Sequence, residues 1–375
     1  LTKLGWNDVV LLERKELTSG TTWHAAGLVV TPSGDELSVE ISTYTRELMK
    51  TLEAETGQTT GFRDIGYLQL ATDPEWLEER RRMAVAARRL GVNYQEISPT
   101  EVKKMWPLAE TSDILAGFYT AEDGRANPVD FTMALAKGAR MGGVKIFEDT
   151  EVTGINKANG RVTGVLTDKG EIEAEIVVNC AGLWGRQLGK MAGVNVPLQA
   201  AEHYYLLTQP MEGVHADLPI IEDFGAYSYF REEVGGLLVG FFEPIAAPWG
   251  MDGIPKNFAF GEINPDWDRM MPYVEIAMER VPSLKDAGIH KFFCGPESFT
   301  PDGGPIMGES PELKNFFVAA GLNSLGILQG GGVGKIMAQW IVDGYCPVDS
   351  LHIDIARCLP FQGNQKFLVD RTVET

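Results

Sequence analysis

Apolar and polar positions divide this chain into two kinds of territory. Residues 8–12 form a short apolar run ending on Glu13, the pattern of a buried parallel strand covered on both faces. Between residues 36 and 56, Leu37, Ile41, Tyr44, Leu48 and Leu52 recur at helical spacing, and Gly57 supplies the stop. Residues 66–71 predict a strand, and 74–90 a highly charged, exposed helix. Asn127 before Pro128 is a capping residue followed by a first-turn proline, opening a helix to about Met141. Residues 151–157 and 161–167 predict a hairpin around Asn159-Gly160, and a further strand over 171–179 runs into Cys180-Ala181-Gly182. From Pro197 to about Phe293 the character changes. Alternating aromatic segments at 203–208, 227–230 and 237–242 predict antiparallel strands. Residues 315–319 return to a buried apolar strand, after which a glycine-rich turn is expected to open a helix at about Gly334 that closes at Gly344. The fold class is α/β: a nucleotide-binding body interrupted by an antiparallel domain.

Composition narrows the function. The 375 residues carry 33 basic and 52 acidic side chains, a net charge of −19, which disfavours nucleic acid and anionic membrane surfaces as partners. A hydrophobic share of 44% supports a large packed core. Four cysteines (Cys180, Cys294, Cys346, Cys358) stand far apart with no C-x-x-C pair, and five histidines are scattered, so neither a disulfide framework nor a metal site is expected. No apolar run approaches the ~18 residues of a membrane span, and no signal peptide is visible. The 42 glycines exceed the usual share of about 7%.

Two features ask for a cofactor. Gly326, Gly330, Gly331, Gly332 and Gly334 crowd the approach to the amphipathic Ile336, Met337, Trp340 and Ile341, and a helix N-terminus there suits an anion or a ring that becomes one. The neighbouring 321–326 segment is one residue off a G-x-S-x-G elbow, so Ser324 is not read as a nucleophile. Glu13, at the end of its strand, stands where dinucleotide-binding folds place an acid on a ribose hydroxyl, about 20 residues after G-x-G-x-x-G. No such turn occurs in the chain. Either Glu13 is an ordinary surface acid, or a first strand and phosphate loop precede residue 1 in a longer chain; the downstream sequence favours the second.

That downstream sequence contains TSGTTWHAAGL (18–28), ETGQTTGF (55–62), TAEDGRANP (120–128), IVVNCAGLW (176–184), YSYFREEVGGLLVG (227–240), CGPESFTPD (294–302) and FFVAAGLNSLGILQGGGVGK (316–335). Over nearly its whole length the chain resembles the flavin-dependent dimethylglycine and sarcosine dehydrogenases, of the glycine-oxidase-like flavoprotein fold. The resemblance implies an FAD-binding Rossmann-like domain, incomplete at its N-terminus, from residues 1–60, 120–196 and 295–358. It implies an antiparallel β substrate domain with flanking helices from 61–119 and 197–294. Residues 359–375 resemble the connector into a second, folate-binding module, so tetrahydrofolate is expected only if that module exists in a longer chain.

The resemblance further implies that His24 bonds covalently to the 8α-methyl of FAD, which raises the flavin potential and prevents cofactor loss; the alternative is a core or capping histidine, against which stand Trp23 and the small Ala25, Ala26 and Gly27 that let a ring approach. Cofactor contacts are implied for Glu13, Arg14, Gly20, Thr21, Thr22, Trp23, Ala25, Ala26, Gly27, Leu28, Val152, Trp184, Leu322, Asn323, Ser324, Leu325, Gly326 and Ile327. The family's catalytic dyad maps onto His203 and Tyr229, which would take the proton from the amine, because an ammonium has no lone pair to push. Arg231 shares a strand face with Tyr227 and Tyr229 by period two; it is a candidate clamp for the substrate carboxylate, the alternative being an arginine that caps a surface acid.

The expected reaction is oxidative N-demethylation of an N-methyl amino acid, dimethylglycine or sarcosine. Hydride passes to the flavin, the iminium hydrolyses to formaldehyde, and electrons go on to an electron-transfer flavoprotein. Those two substrates differ by one methyl, worth only ~1–3 kcal/mol in a pocket. The rivals are a glycine-oxidase-like enzyme using O₂ and a non-catalytic module that keeps the fold. The family occurs in bacterial cytoplasm and in the mitochondrial matrix.

Overall fold

The structure is a computed structural model that describes residues 1–372, so the last three residues of the expected 359–375 connector lie outside the described residues. The described helices are α1 (Glu36–Thr56), α2 (Pro74–Arg89), α3 (Pro99–Met105), α4 (Pro128–Met141), α5 (Gly185–Ala192), α6 (Trp267–Arg280), α7 (Gly326–Asp343) and α8 (Gln365–Thr372). Their starts follow from local chemistry. Asp35 accepts from the Ser38 amide to open α1, and Asp73, Ser98 and Asn127 cap α2, α3 and α4, each just before a first-turn proline. Gly57 ends α1 at a φ of 69°, where a side chain would be strained.

The strands form one large sheet and several small ones. The large sheet runs β16 (Pro248–Trp249), β12 (Gln199–Thr208), β15 (Gly236–Phe241), β14 (Ser228–Glu233), β13 (Ile220–Asp223), β3 (Tyr67–Ala71), β5 (Ala116–Thr120) and β4 (Gln95–Ile97), with β17 (Ile289–Phe299) antiparallel to β12. One face of it is a hydrophobic core: Leu68, Leu70, Tyr204, Leu206, Phe230, Val239, Phe241 and Cys294 pack with Val102 and Trp106 from the α3 region and with Met270, Val274 and Ala277 of α6. Because side chains alternate along a strand, the opposite face is fixed by the same register. It carries Gln69, Glu222, Tyr229, Arg231, Tyr205, His203 and Glu297, and α2 covers one end of it through Met83, Ala84 and Ala87.

The remaining strands are short. β1 (Val10–Leu12) pairs in parallel with β7 (Lys145–Phe147), and β2 (Leu28–Val29) antiparallel with β6 (Gly124–Arg125). β8 (Val152–Ala158), β9 (Arg161–Thr167) and β10 (Gly170–Glu173) make a meander, while β11 (Val177–Asn179) lies parallel to β19 (Phe316–Ala320), which β18 (Ile306–Glu309) flanks.

Four expectations need correction. β1 is not buried on both faces: Val10 and Leu11 are 38% and 41% exposed, because β7 is its only strand neighbour in the described chain. The segment over 171–179 is not one strand but two, since β10 continues the meander and β11 joins β19 after a break at residues 174–176. α2 is not exposed all round; Arg80, Met83, Ala84 and Ala87 are buried on one side. Most consequentially, the glycine cluster is helix, not turn: α7 begins at Gly326. Its glycines serve close packing instead. A Cβ at Gly332 would sit 2.5 Å from the Ile41 carbonyl oxygen of α1, and the Gly332 amide donates to Thr45 Oγ1 at 2.9 Å. Among the described residues, no helix is long and apolar enough to cross a membrane.

Candidate active site

The segment from Glu13 to Leu28 is pinned along its length. Glu13 follows β1, donates its amide to the Phe147 carbonyl, and accepts the Lys15 amide at 2.8 Å; burial pushes its carboxyl up. Arg14 donates to the carbonyls of Lys256 and Phe258 and lies 4.3 Å over the Trp184 ring. A Cβ at Gly20 would touch the same ring at 3.4 Å. Thr21 precedes a single 3-10 turn, Thr22–His24, which continues through Ala25 to Ala26. The Ala26 carbonyl accepts from Arg231 Nε at 2.7 Å. Gly27 then adopts a φ of 72° directly against the Ala126 carbonyl, and Leu28 enters β2. The turn is thereby held between β6 and the large sheet.

His24 is 6% exposed. Its ring packs edge-on to Trp23 at 5.3 Å and beside Phe293 at 5.0 Å, and a Cβ on Gly295 would come within 2.8 Å of its Cε1. Burial lowers the imidazole pKa, so the ring is neutral at physiological pH. Its Nε2 is buried with no hydrogen-bond partner among the described residues, and the same holds for the indole nitrogens of Trp23 and Trp184.

Strand register brings the remaining candidates to this turn. Gly295 on β17 lies opposite His203 on β12, so His24 and His203 flank one glycine. Tyr205, on the same face as His203, stacks on Phe293 at 4.6 Å. Gly240 of β15 stands opposite Tyr205 on one side and Tyr229 on the other, and the Tyr229 ring lies across the space a Cβ at Gly240 would fill. His203 and Tyr229 thus share a face, two strands apart, with no hydrogen bond between them among the described residues. Burial, and then the charge of Glu297, pushes the Tyr229 phenol well above its ordinary range. Such a phenol stays protonated, so it is a hydrogen-bond donor and not a base. Arg231 is buried, and besides Ala26 it donates to the Glu232 carbonyl and the Glu233 carboxylate.

On the other side, Leu322 leads into a left-handed pair, Asn323 and Ser324, at φ 46° and 68°. The Asn323 side chain accepts from the Thr300 amide at 2.8 Å and donates to the carbonyls of Gly303 and Gly321, locking this turn to the residues just past β17. Leu325 precedes Gly326 and Ile327 without any side-chain cap, which leaves the first amides of α7 available. The His24 contact at Gly295 and the Asn323 contact at Thr300 are therefore five residues apart along β17 and its immediate continuation. Val152 lies elsewhere in chain order but at the start of β8, opposite Thr167.

These residues fit an FAD. A neutral, desolvated imidazole with an unpartnered nitrogen, two unpartnered indole donors and an uncapped helix start are what a flat ring with a carbonyl edge requires. Two surface cavities, of about 320 Å³ beside Arg280 and about 280 Å³ beside Arg186, are lined by neither His24 nor His203.

Two features of this face were not anticipated from the sequence. Glu297, opposite Ala201, acts electrostatically on both His24 and Tyr229. Glu222 is fully buried, accepting from Tyr67 and from Gln69 at 2.8 Å. Nothing in their spacing marks either acid; only the strand register collects them.

Comparison with known proteins identifies the family. The family model described as FAD dependent oxidoreductase matches residues 1–340. The chain is 40% identical to the mitochondrial sarcosine dehydrogenase of Mus musculus, over 95% of this chain and 39% of the relative. It is 38% identical to 4-methylaminobutanoate oxidase (formaldehyde-forming) of Paenarthrobacter nicotinovorans, over 100% of this chain and 45% of the relative. It therefore spans less than half the length of these curated relatives. The crystal structure of L-proline dehydrogenase from P. horikoshii superposes with a TM-score of 0.84 at 26% identity, covering 95% of this chain and 92% of that one. The chain belongs to the FAD dependent oxidoreductase family.

Proposed function

We propose that the protein of which this chain is part oxidatively demethylates an N-methyl amino acid. The observation that carries the reading is the buried, neutral His24 with its unpartnered Nε2, set beside His203 and in the row of Tyr205 and Tyr229. His24 is the attachment point for the cofactor, and Trp23, Trp184 and the 322–327 turn hold its polar edge. Bound FAD supplies the hydride acceptor. His203 takes the proton from the substrate amine, since imidazole is the side chain whose charge changes near physiological pH. Tyr229, kept protonated by burial, donates a hydrogen bond that orients the substrate. Arg231 holds the Ala26 carbonyl and with it the His24 turn; any hold on a substrate carboxylate comes second to that role. Residues 61–119 and 197–294 provide the substrate side and the remainder the cofactor side. The iminium produced hydrolyses to formaldehyde and the demethylated amine, and an electron-transfer flavoprotein removes the electrons.

Relatives at 40% and 38% identity named for sarcosine and for 4-methylaminobutanoate support an N-methyl amine and leave the chain length of the acid open. The test is anaerobic mixing of the full-length flavoprotein with sarcosine, dimethylglycine and 4-methylaminobutanoate. Flavin bleaching with release of formaldehyde is expected for at least one of them. A flavin that none of the three bleaches refutes the reading. Peroxide formed in step with turnover in air assigns the electrons to O₂ instead.

A further inference from the structure

The sheet face that meets the His24 turn carries an acid with no partner. Glu297 lies on β17 two residues past Gly295, in register with Ala201 of β12. Its Oε2 is buried and accepts no hydrogen bond, and no Lys, Arg or His pairs with its carboxylate among the described residues. Other acids of this sheet are engaged. Glu222 accepts from Tyr67 and Gln69, Asp223 pairs with Arg280, Glu232 with Arg125, and Glu243 with Arg269. A buried oxygen without a donor costs about 1–3 kcal/mol, more when charged, so such a group is kept where something else completes it.

Its surroundings indicate what completes it. Glu297 shares its side of β17 with Gly295, against which His24 packs, and its charge acts on both His24 and Tyr229. The aromatic rings of Tyr205 and Phe293, stacked at 4.6 Å, and of Trp23, 5.7 Å from Phe293, lie further along the same face, beyond the His203–Gly295 pair. A buried carboxylate without a donor is a site for a cation: Coulomb attraction favours a ligand with a charged nitrogen, whereas a neutral ligand of the same shape gains nothing from it. On the function proposed above, the nitrogen of an N-methyl amino acid has to lie here, and it reaches the protein as an ammonium.

We infer that Glu297 recognises the cationic nitrogen of the substrate, and that through it the site selects N-methyl ammonium acids over neutral molecules of the same shape. This rests on the proposed function, and its test separates the two. Trimethylglycine and 3,3-dimethylbutanoate are isosteres that differ only in having N⁺ or carbon at the branched centre, and neither has the amine lone pair that oxidation requires. Their binding to the full-length flavoprotein is measured by perturbation of the flavin absorbance and by calorimetry. The wild type is expected to bind trimethylglycine at least ~10-fold more tightly, and Glu297→Gln to lose most of that preference through weaker trimethylglycine binding alone. Glu297→Asp, which keeps the charge, retains part of it. Equal binding of the two isosteres by the wild type overturns the inference, and so does a preference that survives in Glu297→Gln, which would assign the selection to the aromatic rings. If the third methyl excludes both ligands while substrate still turns over, the expected result moves to KM: a rise of ~10-fold in Glu297→Gln with a smaller change in kcat, and an unchanged KM overturns the inference. A loaded protein that is inert to every N-methyl amino acid removes the function itself.

Discussion

Two glycines of α7, two residues apart, are expected to respond oppositely to the same substitution. Gly332 faces α1, where an added Cβ would lie 2.5 Å from the Ile41 carbonyl oxygen, 2.7 Å from its Cα and 2.9 Å from its Cγ2. Two of those three atoms are backbone, so no rotamer change relieves the contact. Either the helices separate, or the Gly332 amide loses its bond to Thr45 Oγ1. Overpacking of this kind costs about 1–3 kcal/mol, and the upper end applies where backbone meets backbone. Alanine returns about 1 kcal/mol of helix propensity over glycine, leaving Gly332→Ala destabilised by roughly 2 kcal/mol. At Gly334 an added Cβ meets nothing within 4 Å, so only the propensity acts, and Gly334→Ala is stabilised by up to about 1 kcal/mol. The two variants are therefore separated by about 3 kcal/mol. Urea unfolding followed by circular dichroism reads this directly: the midpoint moves down for Gly332→Ala and up for Gly334→Ala. Shifts of the same sign, or a Gly332→Ala midpoint equal to wild type, would show that α1 and α7 do not approach as described.

Three further outcomes are expected. Gly240→Ala drives the Tyr229 ring from its place and lowers turnover by ~10²-fold; the same change in a Tyr229→Phe background has little further effect, and independent, additive losses would separate Gly240 from Tyr229. Asp123 is fully buried and accepts from the Thr31 amide and from Arg46 Nη1, each at 2.8 Å, so Asp123→Ala leaves a buried guanidinium facing fewer anions. A loss of about 3 kcal/mol follows, measured by chemical denaturation, and a loss below about 1 kcal/mol contradicts the role. In the flavin-free protein, burial holds the His24 pKa below its unfolded value of about 6.5. The unfolded chain then binds a proton that the folded one refuses, so the stability from this group is present above about pH 6.5 and is lost as pH falls through the folded pKa. Wild-type apoprotein accordingly loses more stability between about pH 7.5 and 5.5 than His24→Phe does, and identical pH profiles would show that His24 is not desolvated.

The parts of this fold that a reader of the sequence finds are those set by neighbouring residues. α1 and α4 begin and end where their capping residues and Gly57 place them, and the hairpin turns at Asn159-Gly160, both with positive φ. What escapes is set across the fold. Five glycines in nine residues resemble a turn until α1 is in place, because the demand for a missing Cβ at Gly332 comes from Ile41, some 290 positions away in the chain. Apolar Val10 and Leu11 read as a buried strand, yet their exposure depends on which strands lie alongside. The site divides in the same way. His24 stands in a recognisable run, and the placement of His203 and Tyr229 on one face follows from strand alternation. The intervention of Gly240 and Tyr205 between them, and the arrival of Glu297 at the His24 turn, depend on the register of β12 with β15 and β17.

The attachment of FAD at His24 is read most directly by mass spectrometry of peptides from the full-length flavoprotein after proteolysis under denaturing conditions. The peptide containing Trp23 and His24 is expected to carry the mass of FAD on the imidazole. Flavin released free into solution, or found on a peptide that lacks His24, would contradict it.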